Sequence, residues 1–395
     1  MERNKFFAFL TSLKLTVVCL TLGIALVFLG TVAQVNEGLY LAQNRWFRSF
    51  FIWWAPPGAD WSLPIFPGGY LVGTTLLVNL TMAHIKRFQM TWKKLGIHVT
   101  HTGVILLLVG QLATDLLSRE TQMSFAEGET RSYSASSMSC ELAFVTSSDN
   151  PGEEDVVAIP QSLLARQHEI AHEKLPFKIH VRHYHVNSRV RQRAPMVDTN
   201  APSATAGFGP KLTLLPVAET KTMDERNLPA VVFELIGPQG SLGTWLAQPS
   251  VDEQEVAVGA RTWRVALRFE RYYHPFSVQL LKTTHEVYPG TATPSNPNGI
   301  PKHFQSRVRM ENPQRRESRE VDIFMNNPLR YEGLTFFQYQ MGADEVDRNR
   351  GTSVLQVVRN PSWLTPYVAC GLVGGGLVIQ FMMHLAGFIR KRRTA

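Results

Sequence analysis

Nothing restricts the folds open to this chain more than four separated apolar stretches, each long enough to cross a lipid bilayer as a helix. A hydrocarbon core about 30 Å thick is spanned by about 20 helical residues rising about 1.5 Å each. The stretches fall near 13–34, 67–85, 97–117 and 363–389. A mean hydropathy of -0.08 over the whole chain conceals them, because the residues between are polar. The first, SLKLTVVCLTLGIALVFLGTV, has no small-residue cleavage site and no quick exit to a polar chain, so it reads as a retained anchor rather than a signal peptide.

The basic residues orient these spans, because Lys and Arg in short loops are held on the cytoplasmic side. Arg3, Lys5 and Lys14 precede or open the first span; Lys86, Arg87, Lys93 and Lys94 surround the connection between the second and third; Arg390, Lys391, Arg392 and Arg393 close the chain. Both termini and the 86–96 loop are therefore expected in the cytoplasm, with the protein multi-pass in the inner (cytoplasmic) membrane. A formal net charge of +8 calls for no nucleic-acid partner, since these residues serve topology and anionic headgroups. Cys19 and Cys370 fall inside spans and Cys140 outside them. With no Cys-x-x-Cys, neither an intrachain disulfide nor dithiol chemistry is expected.

The N-terminal membrane part is read as 1–118, with an outer loop at 35–66. Trp46, Trp53, Trp54 and Trp61 mark that loop as an aromatic belt at the headgroup boundary. Residues 119–361 turn polar and alternate with period two in FKIHVRHYHV, KLTLLPV, AVVFELIG, TWRVALRFERYY and SVLQVVR, the pattern of half-buried antiparallel strands. Stretches 187–209 and 289–301, rich in Pro, Ala, Thr, Asn and Gly, read as long loops. The fold class expected is thus a membrane protein of four transmembrane helices with a large, mainly β extracytoplasmic domain, a sandwich or barrel, between the third and fourth. Residues 362–395 form the last span and a basic tail. Its GLVGGGL run offers small residues for close helix packing.

Ionisable groups within a membrane are costly, which makes them candidates for function. His84 lies at the inner end of the second span, His98 and His101 in the first turns of the third, and His384 near the inner end of the fourth. His98 and His101, three apart, share a helix face. His101 is the deeper, and a neutral imidazole there seeks a metal, a haem iron or a hydrogen-bond partner. Outside the spans, His180, His183 and His185 form an H-x-x-H-x-H run; on a regular strand His183 and His185 point one way and His180 the other. Asp115, near the outer end of the third span, is expected to snorkel outward. No nucleophile elbow, Walker loop, dinucleotide fingerprint or H-E-x-x-H is present.

Several segments together resemble the ResB (CcsB) family of cytochrome c biogenesis proteins. SLKLTVVCLTLGIALVFLGT is similar to the family's first span, and HTGVILLLVGQLATD followed by MSFAEGE to its third span and domain entry. NNPLRYEGLTFFQYQ and VLQVVRNPSWLTPYVACGLVGGGLVIQF resemble its closing strands and last span. The resemblance implies a subunit of the haem export and ligation complex, working with a CcsA-type partner and apocytochrome c, and served by a thioredoxin-like thiol reductant. It implies haem b as a transported or transiently bound group. The matching axial ligand is His101, with His98 and His84 as alternatives. A non-catalytic subunit of a holocytochrome c synthase is implied more than an enzyme alone. The alternative from another class is a scaffold that recruits apocytochrome or stabilises the partner without binding haem.

Overall fold

The computed structural model describes residues 2–56, 61–89, 91–150, 152–166, 168–194, 197–198, 202–220, 226–291, 301–343 and 350–394. Helices follow in chain order as α1 (Glu2–Leu10), α2 (Leu13–Glu37), a single turn α3 (Leu39–Ala42), α4 (Gly69–Lys86), α5 (Leu95–Leu117), a single turn α6 (Gln161–Leu164) and α7 (Thr365–Thr394). All but α6 belong to one unit, Met1–Arg119 with Arg359–Ala395; the other unit is Glu120–Thr220 with Glu225–Val358.

Among the described residues, three helical stretches are long and apolar enough to cross a membrane: Leu13–Glu37, Trp92–Leu117 and Thr365–Arg392. The fourth expected span, α4, has 18 residues and is less apolar, because Asn79 interrupts it and His84 and Lys86 occupy its last turn. Asn79 is fully buried. Its Nδ2 donates to the Leu10 and Ser12 carbonyls at 2.6 and 3.2 Å, and its Oδ1 accepts from Thr16 Oγ1 at 2.6 Å. The Leu10 carbonyl ends α1 and the Ser12 carbonyl, at the N-cap of α2, also accepts from the Thr16 nitrogen at 3.4 Å. A polar residue that lowers the hydropathy of α4 thus ties it to the α1–α2 junction.

Helix α5 meets α7 along Gly96, Gly103 and Gly110, all buried and seven residues apart. A Cβ on Gly103 would lie 2.8 Å from the Ala369 carbonyl oxygen and 2.9 Å from the Val373 nitrogen. A Cβ on Gly96 would lie 2.7 Å from the Gly376 carbonyl oxygen. The GLVGGGL run was expected to provide the close face, but Gly371, Gly374 and Gly375 face open space, and Gly376 alone of its glycines packs on α5. The heptad of glycines on the opposite helix sets the approach, since α7 backbone can come this close only where α5 carries no side chain.

The outer loop continues α3 into a π-helical turn, Gln43–Phe47, followed by a hairpin of strands Phe51–Trp54 and Leu63–Pro67. Trp53, Trp54 and Trp61 are exposed, as an aromatic belt requires. Trp46 departs from that expectation. Its Nε1 is enclosed without a partner among the described residues, and its Cβ packs against Gly30 of α2.

The second unit is mainly β. Two long antiparallel strands, Thr130–Ser147 and Arg261–Val287, run through it and serve two separate cores. In one, Leu142, Phe144, Val265 and Leu267 face Ile179, Val181, Phe233 and Leu235 of a four-stranded sheet, forming a sandwich. In the other, Val278 and Leu280 join Met123, Val308, Met310, Ile323, Phe336 and Leu355, lining a sheet that curls about its own core. The register shifts between Phe269 and Arg271 and again between Tyr273 and Val278. Such bulges bend and twist a strand, allowing it to pass from one core to the other.

The expected strands lie at Lys178–His185, Leu212–Pro216, Ala230–Gly237, within Arg261–Val287, and at Gly351–Arg359. Part of the stretch expected as a loop at 187–209 is instead strand: Ser188–Gln192 pairs with Leu212–Pro216. Leu212 and Leu214 pack on the outer face of the four-stranded sheet, and Arg191 holds the Asp198 carboxylate with two bonds of 2.8 and 2.7 Å. Pairing and a bidentate ion pair overcome a loop-like composition. Much of the loop expected at 289–301 lies outside the described residues.

Cys140 is 2% exposed in the sandwich core, and burial pushes its thiol up to about 12. A thiol is reactive only as thiolate. Iodoacetamide at pH 8 is therefore expected to leave Cys140 unmodified in the folded protein and to label it on denaturation, as mass spectrometry of the tryptic peptide would show.

Candidate functional site

The sequence-derived candidates gather on two neighbouring helices. His84, in the last turn of α4, faces His98 and His101 in the first two turns of α5. The His84 ring lies 5.2 Å from that of His98, edge-on, and 6.0 Å from that of His101, stacked. Phe88 closes the group at 4.8 Å from His98 and 6.0 Å from His84. The three-residue spacing on α5 turns both of its imidazoles toward α4.

Hydrogen bonds distinguish the rings. His101 Nδ1 lies 2.8 Å from the carbonyl of Ile97, one turn back on its own helix. A carbonyl only accepts, so Nδ1 carries the proton and Nε2 keeps its lone pair. His98 reverses the pattern, with Nε2 donating to the Gln89 carbonyl at 3.0 Å and Nδ1 left as the acceptor. That Nδ1 is enclosed by protein and has no partner, whereas no atom of His101 is so enclosed among the described residues. The lone pair of His98 is thus sealed in, and that of His101 lies on a half-buried side chain.

An axial imidazole of a haem iron needs one ring nitrogen free of its proton and the other held by a hydrogen bond. His101 fits this description. The three rings do not form a metal cage of their own: among the described residues no group of three His, Cys, Asp or Glu side chains is placed to hold an ion. His384 bonds to Gln380 on its own helix at 2.8 Å and makes no ring contact with the cluster among the described residues.

Two other candidates depart from expectation. Asp115 does not snorkel outward; its Oδ1 accepts from Arg48 Nε at 2.7 Å and its Oδ2 from the Tyr70 hydroxyl. The H-x-x-H-x-H histidines all lie on one sheet face, because the strand bulges at Arg182. His180 pairs with Glu234, His183 with Val232 and His185 with Ala230, alternate residues of the neighbouring strand. Strict alternation would have turned His180 away. His183 and His185 stack at 6.5 Å, and burial with the neighbouring His183 lowers the affinity of His185 for a proton.

Residues 230–350 match the model of the ResB-like family. The matched stretch begins at the sandwich strand Ala230–Gly237 and takes in the hairpin of Leu329–Tyr331 and Leu334–Ala343. There Glu332 and Gly333 both hold positive φ, 49° and 73°, as a two-residue hairpin turn matched to strand twist requires. The flanking Leu329, Tyr331 and Phe336 enter the second β core. Protein NrfI of Wolinella succinogenes is 33% identical over 104 residues, 26% of this chain. The match takes in 10% of that protein's length, so the chain corresponds to a small part of it.

Proposed function

Because residues 230–350 carry the ResB-like family pattern, we propose that the chain is a membrane subunit of cytochrome c maturation. Its role is to help move haem outward for attachment to apocytochrome c. The observation that carries the haem-binding part is the His101 imidazole, with Nδ1 bound to Ile97 and Nε2 presenting a lone pair. His101 would be the residue of this chain that holds the iron of haem b in transit, and a CcsA-type partner would supply a second ligand. Ile97 fixes the tautomer, and the stacked His84 ring restricts rotation of the imidazole. His98 supports the cluster rather than ligating, because its free nitrogen is sealed.

In this reading α4 is the fourth span. At about 1.5 Å per residue its 18 residues reach about 27 Å, close to the hydrocarbon thickness. Its polar Asn79 is fully satisfied by other helices, so it presents no unmet group to lipid. The histidine cluster then lies toward the cytoplasm, where haem is made available, and the β-rich unit lies outside, where apocytochrome is met. Reporter fusions after positions 89 and 250 are expected to report cytoplasmic and extracytoplasmic locations; a cytoplasmic signal at 250 overturns the topology.

The ligand assignment is tested by co-purifying the chain with its CcsA-type partner and recording the haem absorption spectrum. His101→Ala is expected to lose the bound haem, and added imidazole to restore the band. An unchanged spectrum overturns the assignment in favour of a scaffold that recruits apocytochrome without touching haem.

A further inference from the structure

At the other end of the same helices lies a cavity of about 670 Å³, walled by Gly23, Leu26, Val27, Val72, Leu77, Leu108 and Leu112. It is distinct from the histidine cluster, since 14 residues of α5, about 21 Å, separate His101 from Asp115 at its polar end. Its volume is within the range of about 300–1,000 Å³ that suits a small ligand. Gly23 and Gly73 open into it, and a Cβ at either would meet nothing within 4 Å.

The polar end has two parts. Arg48, Asp115 and Tyr70 form a closed set in which the guanidinium and the phenol both donate to the carboxylate, so the set carries no net charge. Gln34, Gln43 and Gln111 also line the cavity, and their side-chain amides have no partner among the described residues. Gln34 and Gln43 are half-buried and Gln111 is exposed, and each amide offers both a donor and an acceptor to a ligand in the cavity.

The backbone at this end is also unusual. Gln43–Phe47 is a π-helical turn, in which the Arg48 nitrogen reaches back five residues to the Gln43 carbonyl at 2.9 Å. It brings Gln43, Phe47 and Arg48 to the cavity. The turn is clamped, because the Phe47 ring lies against Gly30 and the Phe47 carbonyl against Gly69, closely enough that a Cβ at either glycine would collide. Widened turns of this kind recur at functional sites.

We infer that this cavity binds an amphiphile with an apolar tail and an uncharged head bearing carbonyl or hydroxyl oxygens. The apolar walls take the tail. The three amides take the head oxygens, and the neutralised Arg48 gives no advantage to an anion. A membrane quinone and the ester region of a glycerolipid share this chemistry. The inference is independent of the haem reading and survives its failure.

Full-length protein purified in detergent is titrated with decyl-ubiquinone, read by quenching of tryptophan fluorescence. Native mass spectrometry of the same preparation reports any phospholipid retained at one per chain. Saturable quinone binding identifies the ligand source as quinone, and retained phospholipid identifies it as lipid. In either case Gly73→Leu and Gly23→Leu, which fill the cavity, and Gln43→Leu, which removes an amide, are expected to weaken occupancy at least about tenfold. Val35→Leu, at a side chain 85% exposed, leaves it unchanged. The inference is overturned if neither probe occupies the protein, if occupancy survives both glycine variants, or if the anionic dodecanoate binds more tightly than decyl-ubiquinone.

Discussion

Replacing Gly103 with Leu is expected to separate α5 from α7 and lower the stability of the helical unit by about 3 kcal/mol, the upper end of ordinary overpacking. Besides Val373 Cγ2 at 2.8 Å, a side chain would meet two further atoms, the Ala369 carbonyl oxygen and the Val373 nitrogen, at 2.8 and 2.9 Å. Both are backbone, so no rotamer change relieves the contact, and the helices must move apart. Separation also opens the neighbouring contacts at Gly96 and Gly110. The control lies on α7: Gly374→Leu adds a side chain where nothing lies within 4 Å, and it is expected to leave stability unchanged or raise it through better helix propensity. Thermal unfolding of the two variants in detergent measures the difference. Equal midpoints would show that the glycine heptad does not set the packing.

The second large effect is expected at Arg268. Its Nε donates to Glu141 Oε1 at 3.0 Å across the two long strands, and the side chains are 11% and 7% exposed. Arg268→Met leaves the Glu141 carboxylate buried without its cation, at a cost of about 3–5 kcal/mol. The double variant Arg268→Met/Glu141→Leu removes both charges and is expected to recover most of that loss, since a buried ion pair contributes little over an apolar pair of similar volume. Urea unfolding of the single and double variants tests this. A double variant no more stable than Arg268→Met would mean that other contacts of Arg268, such as its 3.3 Å bond to the Tyr273 hydroxyl, and not the stranded carboxylate, carry the cost.

Much of the architecture was legible because it depends on local pattern. Apolar length marks α2, α5 and α7 without reference to neighbours. Period two marks Ala230–Gly237 to the residue, because its Val231, Phe233 and Leu235 alternate on a core face. Ser188–Gln192 was missed because five residues of polar composition become a strand only when Leu212–Pro216 pairs with them. The H-x-x-H-x-H run was assigned two faces for a related reason. A one-residue bulge at Arg182 reverses the alternation, and nothing in residues 178–185 announces it.

The candidate site divides in the same way. The sequence by itself determined that His84, His98 and His101 would sit near one end of apolar helices, because position along a helix follows from counting residues. It also carried the family pattern at 230–350. Only the tertiary structure decided that α4 and α5 bring these rings within 5.2–6.0 Å, that the nitrogen of His98 is sealed, and that Asp115 meets Arg48 across 67 residues. It also decided that the packing glycines are Gly96, Gly103 and Gly110, met by Gly376 alone of the glycines in the more conspicuous GLVGGGL run. The physical reason is common to these cases: residue spacing sets which side chains share a face, but what a face meets depends on the approach of a second element, and that approach is a property of the packed chain.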